Sequence, residues 1–499
     1  MDFLDPKKER RTRIALLAGY GLVATAIAIS SLVLLYVSYG YTVNRDGDVT
    51  QRGLVFVSST PTGATVQLNG KTEAATNTKL DIGAGSYDLS ITADGYRDWH
   101  KKLIVNGGDV QRFDYPFLVP TKLTPTPVAN YTQSPLFVSQ SLNKRLVLLS
   151  EAATPNQFTL LNIRDPKKLE TSIITPPASV ATASEGAQRW EPVEWSDDNK
   201  NILFLHFYVQ GGQEKREYIV LDVTAVEASK NVTRTVAPDA TEELTLFNKK
   251  PDVFYGYNAA TKVLRSFTLE SAANRTALAD VLAYKTYSDD TVLYATTTPP
   301  TGKQASTQVN IVLLQGARST ILRRYDAGDQ KYLLDISQYD GDWYVIMAAT
   351  NDKGAYIYKS PQSQVLRASS LPNAWRFLRV PQPQHVSFSG SSQLLLAQNG
   401  QRVGVYDAEE VITRLYTLQK PIDAPQPQAQ WMDGHRLMYV SGGTMIIVDY
   451  DNTNLQELVA ALPTFKPMFS PDYQVLYTVS TSPTVPAFLQ STPLRVEQQ

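Results

Sequence analysis

The sequence predicts an all-β ectodomain, a small β-sandwich followed by a seven- or eight-bladed β-propeller, behind one N-terminal transmembrane helix. Three observations lead to this prediction. A basic run at residues 7–13 precedes an uncharged apolar segment at 14–37. Long helical periodicity is missing from the rest of the chain. One aromatic-centred turn pattern recurs at intervals of roughly forty to fifty residues, which is typical of propeller blades.

The apolar segment is long enough to cross a membrane. As an α-helix its residues would rise about 36 Å, against a hydrocarbon core of about 30 Å. The Lys and Arg residues before it predict a cytoplasmic tail at 1–13, a helix at 14–41 and an extracytoplasmic remainder at the cell membrane, beginning with a juxtamembrane linker at 42–52. A cleaved signal peptide is the alternative, although its apolar region is normally only about 7–15 residues long.

Composition excludes several classes of function. The 499 residues carry 47 Lys and Arg against 48 Asp and Glu, so no basic field exists to attract nucleic acid. Cysteine is absent, which excludes disulfides, thiolate metal sites and cysteine nucleophiles. The length predicts at least two extracytoplasmic domains.

The first predicted domain, residues 53–119, contains six or seven short strands and is expected to be a small antiparallel sandwich. Asn69-Gly70 is a strong type I′ hairpin signal. Residues 59–70 hold a Pro-x-Gly-Ala turn, residues 84–91 an Ala-Gly-x-Tyr turn, and Gly95-Tyr96 follows. In this order the three motifs resemble a PEGA domain, with Thr62 in place of the eponymous Glu. The resemblance implies an envelope or surface module that brings no catalytic residues.

A Pro- and Thr-rich connector at 120–129 leads to the second predicted domain, residues 130–499. There an aromatic residue, a small polar residue and a turn residue repeatedly precede a short apolar run. The clear copies are 195–204, 388–396, 431–439 and 469–477, and the weaker ones are 137–149, 247–257, 287–294 and 339–347. Eight copies favour eight blades, and seven remains open. Segment 488–496 is expected to pair with the first blade and close the ring.

The clear turns resemble those of TolB-like and WD-like propellers, which supports a fold and not an activity. No nucleophile elbow, Walker motif or dinucleotide fingerprint occurs. Asp197-Asp198 and Asp289-Asp290 are interpreted as turn acids, residues 449–454 as a hairpin turn and His206 as a core histidine. Trp190, Trp343 and Trp375 suit blade packing as well as sugar stacking. The sequence therefore predicts no catalytic, cofactor-binding or metal-binding residue.

Together these features predict a non-enzymatic, single-pass envelope protein whose propeller binds a protein or glycan, with the sandwich as spacer or accessory binder. The predicted partners are the membrane and an envelope protein or glycan, without nucleic acid. The alternatives are a carbohydrate-active lyase or hydrolase in the propeller channel, and a sensor ectodomain. A sensor would need a helix partner, because the predicted cytoplasmic tail is short.

Overall fold

The computed structural model describes residues 6–43, 49–270, 276–288, 291–298, 308–365 and 371–496. Half of the chain is in β-strands, and one long apolar helix lies near the N-terminus, as predicted. This helix, α1, spans Pro6–Ser38, and its part Arg13–Ser38 has a mean hydropathy of 2.1, with no buried residue. It is long and apolar enough to cross a membrane. Two short helices follow, α2 at Val232–Val236 and α3 at Pro361–Val365.

The chain divides into two compact units, one running up to Lys122 and joined by the segment from Arg495, the other spanning Leu123–Leu494. In the first unit the described strands are β1 (Tyr41–Val43), β2 (Val49–Val57), β3 (Thr65–Leu68), β4 (Lys71–Ala75), β5 (Thr78–Gly83), β6 (Gly85–Thr92), β7 (Trp99–Val105) and β8 (Val110–Phe113). They form two four-stranded sheets, one with the order β1-β2-β5 and β8 beside β2, the other β4-β3-β6-β7.

One strand pair departs from the predicted antiparallel sandwich, because β8 pairs with β2 in parallel. Between β2 and β8 the chain passes twice into the second sheet and back, and parallel pairs need such a crossover connection. The hairpin prediction is confirmed, since Asn69 and Gly70 between β3 and β4 both have positive φ, as a type I′ turn requires. Inward-facing residues alternate along the strands, and Val55, Ile91 and Trp99 are buried in the core.

The second unit contains, within its described residues, strand β9 (Thr126–Tyr131) and eight four-stranded antiparallel sheets. Sheets 1 to 4 are β10 (Phe137–Gln140), β11 (Leu146–Ser150), β12 (Phe158–Asn162), β13 (Glu170–Ile174); β14 (Arg189–Trp195), β15 (Asn201–Gln210), β16 (Gln213–Asp222), β17 (Lys230–Asn231); β18 (Glu243–Leu246), β19 (Val253–Asn258), β20 (Val263–Thr268), β21 (Thr276–Leu278); and β22 (Val281–Tyr287), β23 (Thr291–Thr296), β24 (Gln308–Gln315), β25 (Arg318–Asp326).

Sheets 5 to 8 are β26 (Tyr332–Tyr339), β27 (Asp342–Ala349), β28 (Ala355–Lys359), β29 (Arg376–Leu378); β30 (His385–Phe388), β31 (Leu394–Asn399), β32 (Arg402–Asp407), β33 (Ile412–Thr417); β34 (Gln430–Trp431), β35 (Arg436–Ser441), β36 (Thr444–Asp449), β37 (Gln456–Ala460); and β38 (Met468–Phe469), β39 (Val475–Ser480), β40 (Ala487–Pro493) with β9. The eight copies of the turn pattern each connect the first and second strands of one of these sheets.

The turn chemistry explains why the pattern recurs. In sheet 8 the buried Ser470 hydroxyl donates to the Asp472 carboxylate (2.7 Å) and accepts the Val475 N–H (3.0 Å). Ser141 of sheet 1 makes the same two kinds of contact, with the Asn143 side chain and the Leu146 N–H. A small hydroxyl side chain can therefore satisfy turn backbone that is hidden from water.

Neighbouring sheets pack through apolar clusters. One cluster joins sheets 1 and 2 through Leu148, Phe158 and Phe204, and another joins sheets 8 and 1 through Val147 and Tyr477. The C-terminal strand β40 pairs with β9 and makes it the outer strand of sheet 8. Segment 488–496 was expected to pair with the first blade. It pairs instead, through β40, with β9, the strand that precedes sheet 1 in the chain.

Candidate binding site on the first strands

Charged or ionisable side chains occupy the first strands of five consecutive sheets. The first-strand charge set consists of Glu194, Glu243, Lys285, Asp335 and His385, on β14, β18, β22, β26 and β30. First strands of neighbouring sheets contact one another, for example β14 with β18, β22 with β26, and β26 with β30. These contacts bring residues together that are far apart in the sequence.

Lys285 and Asp335 form an ion pair between sheets 4 and 5. The Lys285 Nζ lies 3.2 Å from the Asp335 Oδ1, and the Asp335 side chain is only 12% exposed. The same carboxylate accepts the backbone N–H groups of Ile336 (3.0 Å) and, from sheet 6, Phe388 (3.2 Å). The Asp335 carboxylate thus links sheets 4, 5 and 6.

Glu194 joins sheets 2 and 3 in a similar way, because its carboxylate accepts the Leu246 N–H and pairs with the Lys249 ammonium. Glu243 is exposed. It acts on Tyr284, whose pKa is raised to about 12, first by burial and further by Glu243 and Glu194, although a hydrogen bond with Thr245 opposes the rise. The phenol therefore stays protonated and remains a hydrogen-bond donor.

His385 lies at the start of β30. Burial lowers the pKa of its imidazole, the Asp335 carboxylate raises it in part, and Lys285 lowers it further. The lowered pKa favours a neutral ring at pH 7, which can both donate and accept a hydrogen bond.

Two lysines belong to the region where sheets 7, 8 and 1 meet. Lys144 donates to the Tyr473 hydroxyl, which donates to the Met432 carbonyl (3.1 Å). Burial lowers the pKa of Lys144; the Asp433 carboxylate opposes this and Lys466 adds to it. Burial also lowers the pKa of Lys466 and raises that of Tyr473 to about 12. Desolvated ammonium groups attract anionic ligand groups more strongly than those in bulk water.

A buried network in sheet 2 was not foreseen from the sequence. The fully buried His206 has its Nδ1 3.0 Å from the Glu217 Oε1 and its Nε2 3.2 Å from the Gln188 Oε1. Glu217 also accepts the N–H and hydroxyl of Thr182 and the amide of Asn231 (2.7–2.9 Å). His206 is thus a hydrogen-bonded core residue, as interpreted from the sequence. Its carboxylate partner depends on the register of β15 and β16, which no local pattern indicates.

The other residues considered in the sequence have structural surroundings. Burial opposes the ionisation of Asp198, but hydrogen bonds from Ser196, Lys200 and Asn201 outweigh it, so its pKa is below the usual value. Residues 449–454 form the turn after β36, where the Asn454 amide donates to Asp449 (2.9 Å). Asp289-Asp290 lie outside the described residues. Among the described residues, no group of three or more His, Asp and Glu is placed to hold a metal ion.

The three tryptophans considered for sugar stacking differ in exposure. Trp190 is buried and stacks on His206 at 4.0 Å between ring centroids. Trp343 packs edge-on against Tyr287. Trp375 is 37% exposed, donates its indole N–H to Tyr406 (2.7 Å), and has the Arg376 guanidinium 4.3 Å from its ring centroid. Trp343 is partly buried, so Trp375 is the most exposed of the three.

The first-strand charge set combines hydrogen-bond acceptors and donors. Asp335 and Glu194 already accept an ammonium group and backbone N–H groups, so part of their hydrogen-bonding capacity is used within the protein. Glu243, Tyr284 and His385 supply a carboxylate acceptor, a phenol donor and a neutral imidazole. Such a set can bind hydroxyl, amide or ammonium groups of a ligand.

Similarity to known proteins is low outside one segment of the chain. No curated protein sequence matches the chain. An oligogalacturonate lyase in complex with manganese is 10% identical, with 75% of this chain and 98% of that chain covered and a TM-score of 0.38. Apo AztD from Citrobacter koseri is 11% identical (75% and 92% covered, TM-score 0.37), and Hsv2 from Kluyveromyces lactis is 11% identical (66% and 98% covered, TM-score 0.39). Residues 52–119 match the PEGA domain family model, so this part of the chain is similar to PEGA domains.

Proposed function

We propose that the protein is a membrane-anchored, extracytoplasmic binding or scaffold protein of the cell envelope. In this proposal α1 is a retained anchor, the PEGA-like sandwich is a spacer or accessory binder, and the second unit is an eight-bladed β-propeller that binds a protein or glycan. The length and hydropathy of α1 and the PEGA match at 52–119 support the location.

The propeller arrangement is supported by how the eight sheets follow one another. Each has four antiparallel strands, and sheet 8 takes its outer strand from the N-terminal side of the unit. Apolar clusters join sheet 1 both to sheet 2 and to sheet 8. In a propeller such a series closes into a ring and leaves only short, protected sheet edges.

The observation that carries the binding proposal is the hydrogen bonding of two first-strand carboxylates, Asp335 and Glu194, whose side chains are 12% and 14% exposed. A glycosidase-type mechanism needs one acid and one base that are free to exchange protons. Asp335 and Glu194 instead hold ammonium and backbone N–H groups. Their geometry is that of groups that organise a surface for a polar ligand.

Location is tested by adding protease to intact cells from which the wall has been removed. We expect the second unit to be degraded while a cytoplasmic marker protein survives. Survival of the second unit until the membrane is lysed would contradict the proposed orientation.

Binding is tested by crosslinking the full chain in its own membrane and recovering it. We expect an envelope protein or glycan to be recovered, and Glu243→Lys to reduce its yield several-fold. Glu170→Lys is the matched control, because it makes the same charge change on the outermost strand of sheet 1, where Glu170 is 61% exposed. Recovery of no envelope component, together with turnover of a glycan by the chain, would replace binding by catalysis.

A further inference from the structure

The end of α1 is joined to the sandwich by close backbone packing. Gly40 follows the helix with φ +75°, and its carbonyl accepts the Arg52 N–H of β2 (2.7 Å). Arg52 in turn accepts the Gly108 N–H (2.8 Å) from the turn between β7 and β8. A Cβ on Gly40 would lie 2.2 Å from the Gly108 nitrogen, so only glycine allows the two segments to approach this closely.

The contact continues on both sides of Gly40. A Cβ on Gly108, which has φ +79°, would lie 3.1 Å from the Ser38 carbonyl oxygen at the last residue of α1. Tyr36 of the helix and Tyr41 of β1 have ring centroids 5.2 Å apart. The last turn of the helix, β1, β2 and the β7–β8 turn therefore form one packed junction.

Exposed apolar side chains of the sandwich lie beside this junction. The apolar rim consists of Tyr39, next to Gly40; Val49, at the start of β2; and Ile104 and Val110, which flank the β7–β8 turn. These four side chains are 57–68% exposed. Among the described residues of this unit outside the helix, the other exposed large apolar side chain is Val496, which is 40% exposed and packs over Gly95.

We propose that the apolar rim is a lipid-contacting surface, and that it enters the headgroup layer of the membrane crossed by α1. The proposal rests on the membrane anchoring proposed above. The membrane is the partner assigned to this surface, because the rim adjoins a helix whose surface is apolar and fully exposed over the length of a membrane span. Tyr residues at the exit of a membrane helix favour the same layer. Partial burial of apolar side chains there is favourable, and the exposed Lys102 two residues before Ile104 suits anionic lipid headgroups.

The glycine junction gives this surface a fixed position. A flexible tether would allow the sandwich to leave the bilayer, whereas the contacts of Gly40 and Gly108 hold the β7–β8 turn against the end of the helix. The sandwich therefore rests on the outer leaflet in one orientation.

Because the chain has no cysteine, a single introduced thiol labels one site only. Ile104→Cys in the full chain is labelled with an environment-sensitive fluorophore and placed in vesicles of phosphatidylcholine and phosphatidylglycerol. Lipids with a spin label near the headgroup should quench it several-fold more than the same fluorophore at Thr62→Cys, in the exposed turn before β3. Equal quenching at the two sites, in protein that floats with the vesicles, would overturn the proposed rim. Protein that does not float would overturn the anchoring itself.

The junction is tested separately with Gly40→Ala, in which the new methyl group meets the Gly108 backbone. Gly83→Ala is the matched control, because its Cβ would meet the Tyr87 hydroxyl at an ordinary 3.5 Å. We expect Gly40→Ala to reduce the quenching at residue 104 and Gly83→Ala to leave it unchanged. Flotation and the near-ultraviolet circular dichroism of the buried aromatic side chains, Trp99 among them, report that both variants remain inserted and folded. Undiminished quenching in Gly40→Ala would overturn the role of the junction.

Discussion

At the scale of single residues, the buried polar groups are the most informative. Glu217 is 2% exposed, yet burial does not leave it neutral, because hydrogen bonds from His206, Thr182 and Asn231 outweigh burial and lower its pKa. The same groups hold the chain around Thr182 against β16. A carboxylate with this many donors stabilises one arrangement of the loop over all others.

Glu217→Gln is expected to destabilise the second unit by about 3 kcal/mol, because it weakens several hydrogen bonds to a charged group, each of which contributes about 1.5–3 kcal/mol. Because the pKa of Glu217 is lowered in the folded state, this contribution is fully present above the unfolded-state pKa of about 4.3. It is lost as the pH falls from there through the folded-state pKa. Chemical denaturation at pH 7 and at about pH 3, below the unfolded-state pKa, measures both effects. Glu214→Gln on the same strand, where Glu214 is 59% exposed, is the control and should change stability by less than about 0.5 kcal/mol. An equal loss in the two variants would contradict the role of the network.

His385 provides a second prediction about how stability depends on pH. Its pKa is lowered in the folded state, so the folded state binds this proton less well than the unfolded chain. Stability is therefore favoured above about pH 6.5 and declines below it as the unfolded chain takes up the proton. We expect His385→Gln to flatten the stability curve between pH 7 and pH 5, as followed by denaturation. An unchanged slope would show that the imidazole is not desolvated.

At the scale of elements, the turn pattern was the strongest sequence signal. All eight predicted copies connect the first and second strands of a sheet, because an aromatic residue, a small polar residue and an apolar run are local features. The pairing partners of β8 and β9 were not predicted. Both depend on contacts with distant strands, and neither has a local sequence signature.

Ser470→Ala tests the turn chemistry. It removes the acceptor of the partly buried Val475 N–H, and the loss of this hydrogen bond should cost about 1 kcal/mol. Thermal unfolding of the full chain should detect the loss. Thr481→Ala, at an exposed position after β39, is the control and should be close to neutral. If the two variants unfold at the same temperature, the serine does not hold the turn.

At the scale of the whole molecule, the sequence predicted the order of the parts better than their chemistry. The apolar helix, the PEGA-like segment and the repeated sheets each follow from local patterns. The first-strand charge set does not, because Lys285 and Asp335 are fifty residues apart and meet only when sheets 4 and 5 pack. Sites made from several sheets are therefore invisible to spacing rules.

Joining β9 to β40 covalently tests how much the unit depends on that pair. Asn130 and Phe488 are register partners, and with no native cysteine Asn130→Cys/Phe488→Cys can form only one intramolecular disulfide. The loop it closes is very long, for which chain-entropy estimates give a stabilisation of about 4 kcal/mol or more. The oxidised protein should unfold at a higher temperature than the same protein reduced. Equal temperatures, with the disulfide shown to be present by mass spectrometry, would mean that the two strands stay paired after the rest has unfolded.

The pairing of β9 with β40 also has a consequence for biogenesis. The two strands are separated by most of the chain, and synthesis proceeds at about 5–20 residues per second, so β9 emerges roughly 20–70 s before its partner exists. During that interval β9 is an unpaired strand, open to proteases and to pairing with other nascent chains. In the proposed orientation, sheet 8 is therefore complete only after the chain has been translocated as far as β40.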